Sequence, residues 1–230
     1  MKLLTTIYNF TLQIENALMP KKCFGCNTNL IAGEKILCLK CYCKISANHV
    51  TNQKALEEIS TNFPVSNFNI FMKFEHEAAS QHLIHQLKYH DKIFIAKYLA
   101  KLWAEKLKKE EWIKDIDFIF PLPLHWIKKI KRGYNQSEIL ATELGKALNK
   151  PVVTKGCYRK KYTKSQAIHA KNRWTNMHKA FAVSNPSVFH NKHVLIVDDV
   201  ITTGSSVFNC MEAICTAKPA AISVACLSSV

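Results

Sequence analysis

HVLIVDDVITTGSS, residues 193–206, runs from four consecutive apolar residues into two adjacent carboxylates and then into a loop of Thr, Gly and Ser. A strand covered on one face alternates apolar and polar residues. VLIV is apolar at both parities, so residues 194–197 are predicted as a central strand of a parallel sheet, buried on both faces. Ligands of such sheets bind outside the carboxyl ends of the strands, which is where Asp198 and Asp199 lie. The following VITTGSS leads into a predicted helix, about residues 205–216, with Val207, Met211 and Ile214 on its apolar side. Gly204 lets the backbone approach a ligand closely. Successive N–H groups and the positive end of the helix make an anion site, to which Thr202, Thr203, Ser205 and Ser206 add hydroxyl donors. The two carboxylates suit a pair of vicinal hydroxyls, and a ribose 5-phosphate carries both groups. Helix capping needs one acid in the first turn and does not account for two at the end of a buried strand.

Strand and helix patterns alternate from residue 69 onward. NIFMKFE (69–75) reads as a strand; EAASQHLIHQLKYH (77–90) and IFIAKYLAKLWAEKLKK (93–109) carry apolar residues at helical spacing. IDFIFPLPL (116–124) is a short strand closed by prolines. NQSEILATELGKALNK (135–150) is a helix capped by Asn135, with Ile139, Leu140, Leu144 and Leu148 on one side. PVVT (151–154) is a short strand, residues 156–191 carry no clear pattern, and AAISVACLS (220–228) is the last strand. The alternation predicts an α/β fold, a mostly parallel sheet with helices on both faces.

The chain has 230 residues, of which 48% are apolar, enough for a substantial core. No apolar run reaches the length of a membrane span. Residues 1–19 place Leu4, Ile7, Tyr8, Leu12 and Leu18 at helical spacing, interrupted by Gln13 and Glu15. With only Lys2 ahead of it and no small-residue cleavage site, this segment is expected to be an amphipathic helix packed on its own protein rather than a signal peptide. The division expected is residues 1–45 for this helix and a cysteine-rich module, 46–68 for a polar linker, and 69–230 for the α/β domain.

Five of the nine cysteines fall between residues 23 and 43. Cys23-x₂-Cys26, eleven residues, then Cys38-x₂-Cys41 present four thiolates to one tetrahedral Zn²⁺. So short a segment has no core of its own, and the metal supplies its folding energy. Cys43 is an alternative to Cys41. His82 and His85, three apart on one helix, are read with His76 and His90 as ordinary side chains rather than ligands. The net charge is +15, and residues 121–193 hold fifteen Lys and Arg against Glu138 and Glu143. Such a block points to phosphate-bearing partners, nucleic acid or a phosphorylated metabolite. Its cations are interleaved with Trp126, Tyr134, Tyr158, Tyr162 and Trp174, a mixture that suits single-stranded nucleic acid.

VLIVDDVITTGSS resembles the phosphoribosyl-pyrophosphate (PRPP) signature of type I phosphoribosyltransferases. The resemblance implies a Rossmann-like core, PRPP as ligand and Mg²⁺ on its pyrophosphate. It implies that Asp198 and Asp199 hold the ribose hydroxyls while Thr202, Thr203, Gly204, Ser205 and Ser206 cradle the 5-phosphate. It also places a pyrophosphate loop at about residues 122–133, with Lys131 and Arg132 as contacts. RKKYTKSQAIHAKNRWTNMHKAF (159–181) sits where these enzymes keep a mobile basic flap, so that Arg159, Lys160 and Lys161 become candidate catalytic residues closing over the leaving pyrophosphate.

With the four-cysteine knuckle, LIHQLKYHDKIFIAKYLAKL (83–102), FPLPLHWIKKIKRGYNQ (120–136) and TKSQAIHAKNRWTNMHKAF (163–181), the whole order resembles the ComF family of ComFC-like competence proteins. That family implies a zinc finger joined to a phosphoribosyltransferase domain. It also implies a cytoplasmic role in uptake of single-stranded DNA during natural transformation, beside a DNA-translocating helicase. One departure is TAKPAA (216–221), where the family tends to have a glycine. Three functions follow: a DNA-uptake factor with a PRPP-type site, a base-salvage phosphoribosyltransferase, or an inactive interaction module. The charge block favours the first, and the intact Asp-Asp loop disfavours the last.

Overall fold

The computed structural model describes residues 20–47, 65–75, 78–89, 92–160 and 180–230. The helix expected in residues 1–19, most of the expected linker, Lys161 and the rest of the basic flap, His76 and His90 lie outside the described residues. The strands are β1 (Phe68–Lys73), β2 (Phe118–Pro121), β3 (Cys157–Arg159), β4 (Phe181–Val183), β5 (His193–Ile201) and β6 (Ala221–Ser229). The helices are α1 (Leu39–Ala47), α2 (Ala79–Gln86), α3 (Ile93–Leu107), α4 (Trp126–Arg132), α5 (Gln136–Leu148) and α6 (Ser205–Cys215). Four strands form one parallel sheet in the order β1-β6-β5-β2. β3 and β4 pair separately and antiparallel.

The double-sided burial read from VLIV is realised residue by residue. Val194, Leu195, Ile196 and Val197 are each 0% exposed. Leu195 and Val197 join Ile119, Leu99, Trp103, Leu140 and Leu144 on one face, the side of α2, α3 and α5. Val194 and Ile196 join Phe120, Phe189, Val207, Met211 and Ile214 on the other, the side of α6 and the β3–β4 pair. Each such side chain contributes about 1.5–3 kcal/mol on burial, so the central strand cannot slip by one residue without mismatching both faces.

Two elements differ from their sequence patterns. PVVT makes a single parallel bridge, Ile119 to Val152, because Pro151 has no N–H to extend the ladder. The central strand is longer than VLIV: its pairing with β6 continues to Ile201 opposite Ser229, while pairing with β2 stops where Pro121 meets Val197. Asp198 and Asp199 therefore still lie on a strand, but on a part of it whose neighbour has ended.

That ending creates a crevice. Beyond β2 the chain turns through α4 into α5, which packs on one face of the sheet; beyond β5 it turns into α6, which packs on the other. The gap between β2 and β5 is thus a topological switch point, the place where open parallel sheets bind ligands. Asn135 caps α5 by accepting from Ser137 N at 3.2 Å, as its sequence pattern predicts, and donates from Nδ2 to Leu122 O at 3.0 Å. The cap therefore ties the helix start to the strand end.

Lys218, at the TAKPAA departure, has a left-handed backbone with φ of 53° just past α6. A Cβ in that conformation crowds the following carbonyl at about 1–2 kcal/mol, whereas glycine adopts it freely but gives up more backbone entropy. Lys218→Gly is expected to stabilise the protein by about 0.5–1 kcal/mol, measured as a rise in the urea midpoint with unchanged slope. A lowered midpoint would refute it.

Candidate functional site

A cavity of about 410 Å³ opens at the switch point. β5 lines it with Asp198, Asp199 and Val200, and the loop to α6 with Thr202 and Ser206. α4 contributes Lys128 and Arg132, the first turn of α5 Gln136 and Ser137, and the end of β3 Arg159. Phe74 just after β1, Ile84 of α2 and Lys88 just after α2 complete one side. Lys128 and Arg132 share a face because they stand one helical turn apart. Lys131 is exposed on α4 and outside the lining.

Asp198 is the electrostatic centre. Its Oδ1 accepts from Ser137 Oγ and from Asp199 N, both at 2.9 Å. Burial, reinforced by the charge of Asp199, holds its carboxyl well above the ordinary carboxylate range, against the pull of these hydrogen bonds. Asp199 Oδ1 accepts from Val200 N at 2.9 Å. Opposite them the guanidinium of Arg159 sits over the Phe181 ring, 5.4 Å from its centroid. Burial draws the Arg159 pKa down, and Asp198 draws it up. Lys128 is lowered by burial and then by Arg159 and Arg132, so three cations crowd one wall and favour an anion between them.

Gln136 completes that wall. It is 2% exposed, its Oε1 accepts from Arg132 Nη1 at 3.1 Å, and its Nε2 has no hydrogen-bond partner among the described residues. The loop after β5 turns at Gly204, φ 70°, which stands at the N-cap of α6. Thr203 and Ser205 hydroxyls lie 3.0 Å apart beside the lining residues Thr202 and Ser206.

The cysteine module folds against α2. The sulfurs of Cys23, Cys26, Cys38 and Cys41 all lie within 4.8 Å of one another, with Cys26 and Cys38 at 3.6 Å. A zinc tetrahedron with bonds of about 2.3 Å has edges of about 3.8 Å, so the set is compatible with that ion. Gly25 N and Cys38 N both point at Cys23 Sγ, at 3.4 and 3.3 Å. The Thr28 hydroxyl and then its backbone N–H bring the Cys26 thiol down to about 6, whereas burial pushes Cys41 up. Cys41 is buried inside the cluster; Cys43 is exposed and outside it. His82 Nδ1 lies 2.9 Å from Gly25 O and, facing a carbonyl, must donate; Gln86 Nε2 donates to Phe24 O at 3.3 Å.

Residues 130–229 match the model of the phosphoribosyl transferase domain. Competence protein F of Haemophilus influenzae is 33% identical over 129 residues, 54% of this chain. The chain spans 56% of that protein's length. DNA utilization protein YhgH of Escherichia coli is 27% identical over 198 residues, 84% of either chain. The chain is thus similar to a competence protein and to a DNA utilization protein. Its fold is that of the type I phosphoribosyltransferases, a parallel sheet with helices, beside an N-terminal four-cysteine cluster. Among solved structures, the purine phosphoribosyltransferase of Pyrococcus horikoshii is 21% identical, with a TM-score of 0.35 over 57% of this chain and 70% of that one. No helix among the described residues is long and apolar enough to cross a membrane.

The candidate residues sort clearly. Asp198, Asp199, Thr202, Ser206, Arg132 and Arg159 converge on one cavity. Thr203, Gly204 and Ser205 shape the loop behind it. Lys160 is exposed, its N–H bound to Ala180 O at 2.8 Å. Lys128, Gln136 and Ser137 were not singled out from the sequence; the available signal was the polar NQS opening a helix directly after a basic run.

The native pKa of Asp198 lies above its unfolded value of about 3.9. The native state therefore holds the proton longer, and this residue's contribution to stability declines as pH rises from about 4 upward. Asp198→Asn removes that decline: its urea stability is expected to vary less with rising pH than the wild type's. Parallel pH profiles for the two proteins would contradict the assignment.

Proposed function

We propose that this chain binds PRPP as its Mg²⁺ complex at the Asp198 cavity and handles single-stranded DNA in DNA uptake. One observation carries the reading: two carboxylates at a parallel strand end share a cavity with Lys128, Arg132 and Arg159. Acceptors and cations on opposing walls match a ligand with a diol at one end and phosphates around it.

Asp198 and Asp199 accept from the ribose hydroxyls. The 5-phosphate lies on the Thr202–Ser206 turn and the N-terminus of α6, where backbone N–H groups and the helix dipole favour it. Lys128, Arg132 and Gln136 Nε2 face the pyrophosphate, and Lys131 adds charge from outside the lining. When bound, Mg²⁺ neutralises part of the pyrophosphate charge. As the bond from ribose C1 to pyrophosphate breaks, negative charge grows on the departing oxygens. Arg159, followed in sequence by Lys160 and Lys161, stabilises that charge electrostatically, with no protein nucleophile required.

The four cysteines hold a structural Zn²⁺, with no coordination position left for catalysis. The DNA role is supported by the names of the two relatives, a competence protein and a DNA utilization protein, and by the net charge of +15. A cytoplasmic site of action belongs to the same reading; a helicase partner is carried by the ComF resemblance alone.

Calorimetric titration of Mg·PRPP tests the assignment. The wild type is expected to bind, and the Asp198→Asn/Asp199→Asn double variant to bind roughly 100-fold more weakly or worse, since hydrogen bonds to charged groups contribute about 1.5–3 kcal/mol each. Equal binding by both proteins, or no heat from the wild type, would overturn it.

A further inference from the structure

Among the described residues, the cations of the basic block 121–193 are largely used up by the fold. Lys128, Arg132 and Arg159 face the cavity. Lys129 pairs with Glu138 at 2.8 Å, Lys146 with Glu143 at 3.0 Å and Lys192 with Asp117 at 3.2 Å. Lys150 donates to Lys114 O and Ile116 O, both at 2.8 Å. Among the described residues of the block this leaves Lys131, Lys155 and Lys160 at the surface, too few and too scattered to track a strand.

The knuckle is different. Residues 20–47 hold five lysines against Glu34 as the one acid. Glu34 is already committed: its Oε2 accepts from Ile31 N at 2.9 Å and its Oε1 from Leu39 N at 2.7 Å. Among the described residues no carboxylate pairs with Lys21, Lys22 or Lys35. These three surround a cavity of about 610 Å³ that has no acidic residue among the described residues of its lining. Phe24 forms part of its wall, with Phe94 edge-on at 5.2 Å and Lys92 Nζ 5.7 Å from the Phe24 centroid.

We infer that this knuckle cavity is a binding site for single-stranded nucleic acid, separate from the phosphoribosyl cavity; the inference rests on the DNA-handling reading above. Cations that track phosphates beside an aromatic face are what such strands require, because an unpaired base exposes its π-face and a paired one does not. The metal cluster holds Lys21, Lys22 and Lys35 on a short, cross-linked backbone, so little ordering entropy opposes binding. α2 stands between the two cavities. His82 and Gln86 face the knuckle, and Ile84 and Lys88 face the Asp198 site. A helix is about 10–12 Å across, so a strand on the knuckle passes within a few nucleotides of the phosphoribosyl cavity.

The test compares wild type with the Lys21→Gln/Lys22→Gln/Lys35→Gln variant by fluorescence anisotropy of a labelled oligothymidylate across a salt series. Zinc content and Mg·PRPP affinity are measured alongside. Each lost phosphate contact lowers the slope of log K against log salt by about 0.7. The variant is therefore expected to show a slope shallower by about 2 and roughly 100-fold weaker binding at 0.1 M salt, with zinc and PRPP binding retained. If the triple variant loses zinc, the single variants Lys22→Gln and Lys35→Gln carry the test, each expected to lose about 0.7 of slope. A wild type that binds DNA, with variants that bind it equally and with the same slope, overturns the knuckle site and leaves the DNA-handling reading standing. A wild type with no salt-dependent DNA binding overturns both.

Discussion

The site depends on β2 stopping at Pro121 while β5 runs on to Ile201. Proline cannot donate to a ladder, and the next residue spends its N–H on Val197 O at 2.8 Å before the chain departs. The two connections then leave to opposite faces, because the hydrophobic stripes of α5 and α6 belong to different cores. Only this combination leaves Asp198 with β6 on one flank and the start of α5 on the other, close enough for Ser137 to donate to its carboxylate. Had β2 continued by two residues, the acids would have been covered by its backbone.

The architecture was legible in the sequence wherever periodicity and chemistry agreed. VLIV announced double burial, and NQSEILATELGKALNK announced both its cap and its apolar side. The four cysteines announced their own convergence through two Cys-x₂-Cys pairs, and the helix separates Cys41 from the alternative Cys43: two residues apart on α1, they point in nearly opposite directions. The acidic half of the site was legible because two carboxylates after a buried strand break the expected pattern. The cationic half was not. One long basic run contains Lys128, which enters the cavity, Lys129, which pairs with Glu138, and Lys131, which faces solvent. Helical phase sorts them, and phase cannot be assigned until the start of α4 is fixed by His125, whose Nδ1 accepts from Ile127 N.

The knuckle and the Asp198 cavity are joined through α2. Gly25 permits the approach: a Cβ there would meet Ala79 Cβ at 2.9 Å and Cys41 Sγ at 3.0 Å. Cys23, Leu37, Cys41 and Ile45 share one buried cluster with Phe71, Leu83 and Leu99, so the module adds to the core of the domain. At the far end of α2, the Tyr134 hydroxyl donates to the carbonyls of Leu87 and Tyr89, which fastens the helix to the segment between Arg132 and Gln136. A short, packed path of hydrogen bonds and close contacts thus joins the knuckle to the cationic wall.

The carboxyl of Asp198 is costly to bury. A carboxyl buried beside a second carboxyl is penalised by desolvation and repulsion, and Ser137 and the Asp199 N–H offset only part of this. An apolar residue there would suit the core better and would remove the acceptor that the crevice was formed to present. The opposing cations carry the same burden, Lys128 held below its ordinary pKa by burial and by its neighbours. Each set is unfavourable alone, and of Lys128 and Arg159 only Arg159 is drawn up by Asp198. A ligand with donors at one end and negative charge at the other relieves both at once. Its binding energy then includes strain removed from the protein, and it stabilises the fold in proportion to the logarithm of its concentration over its dissociation constant.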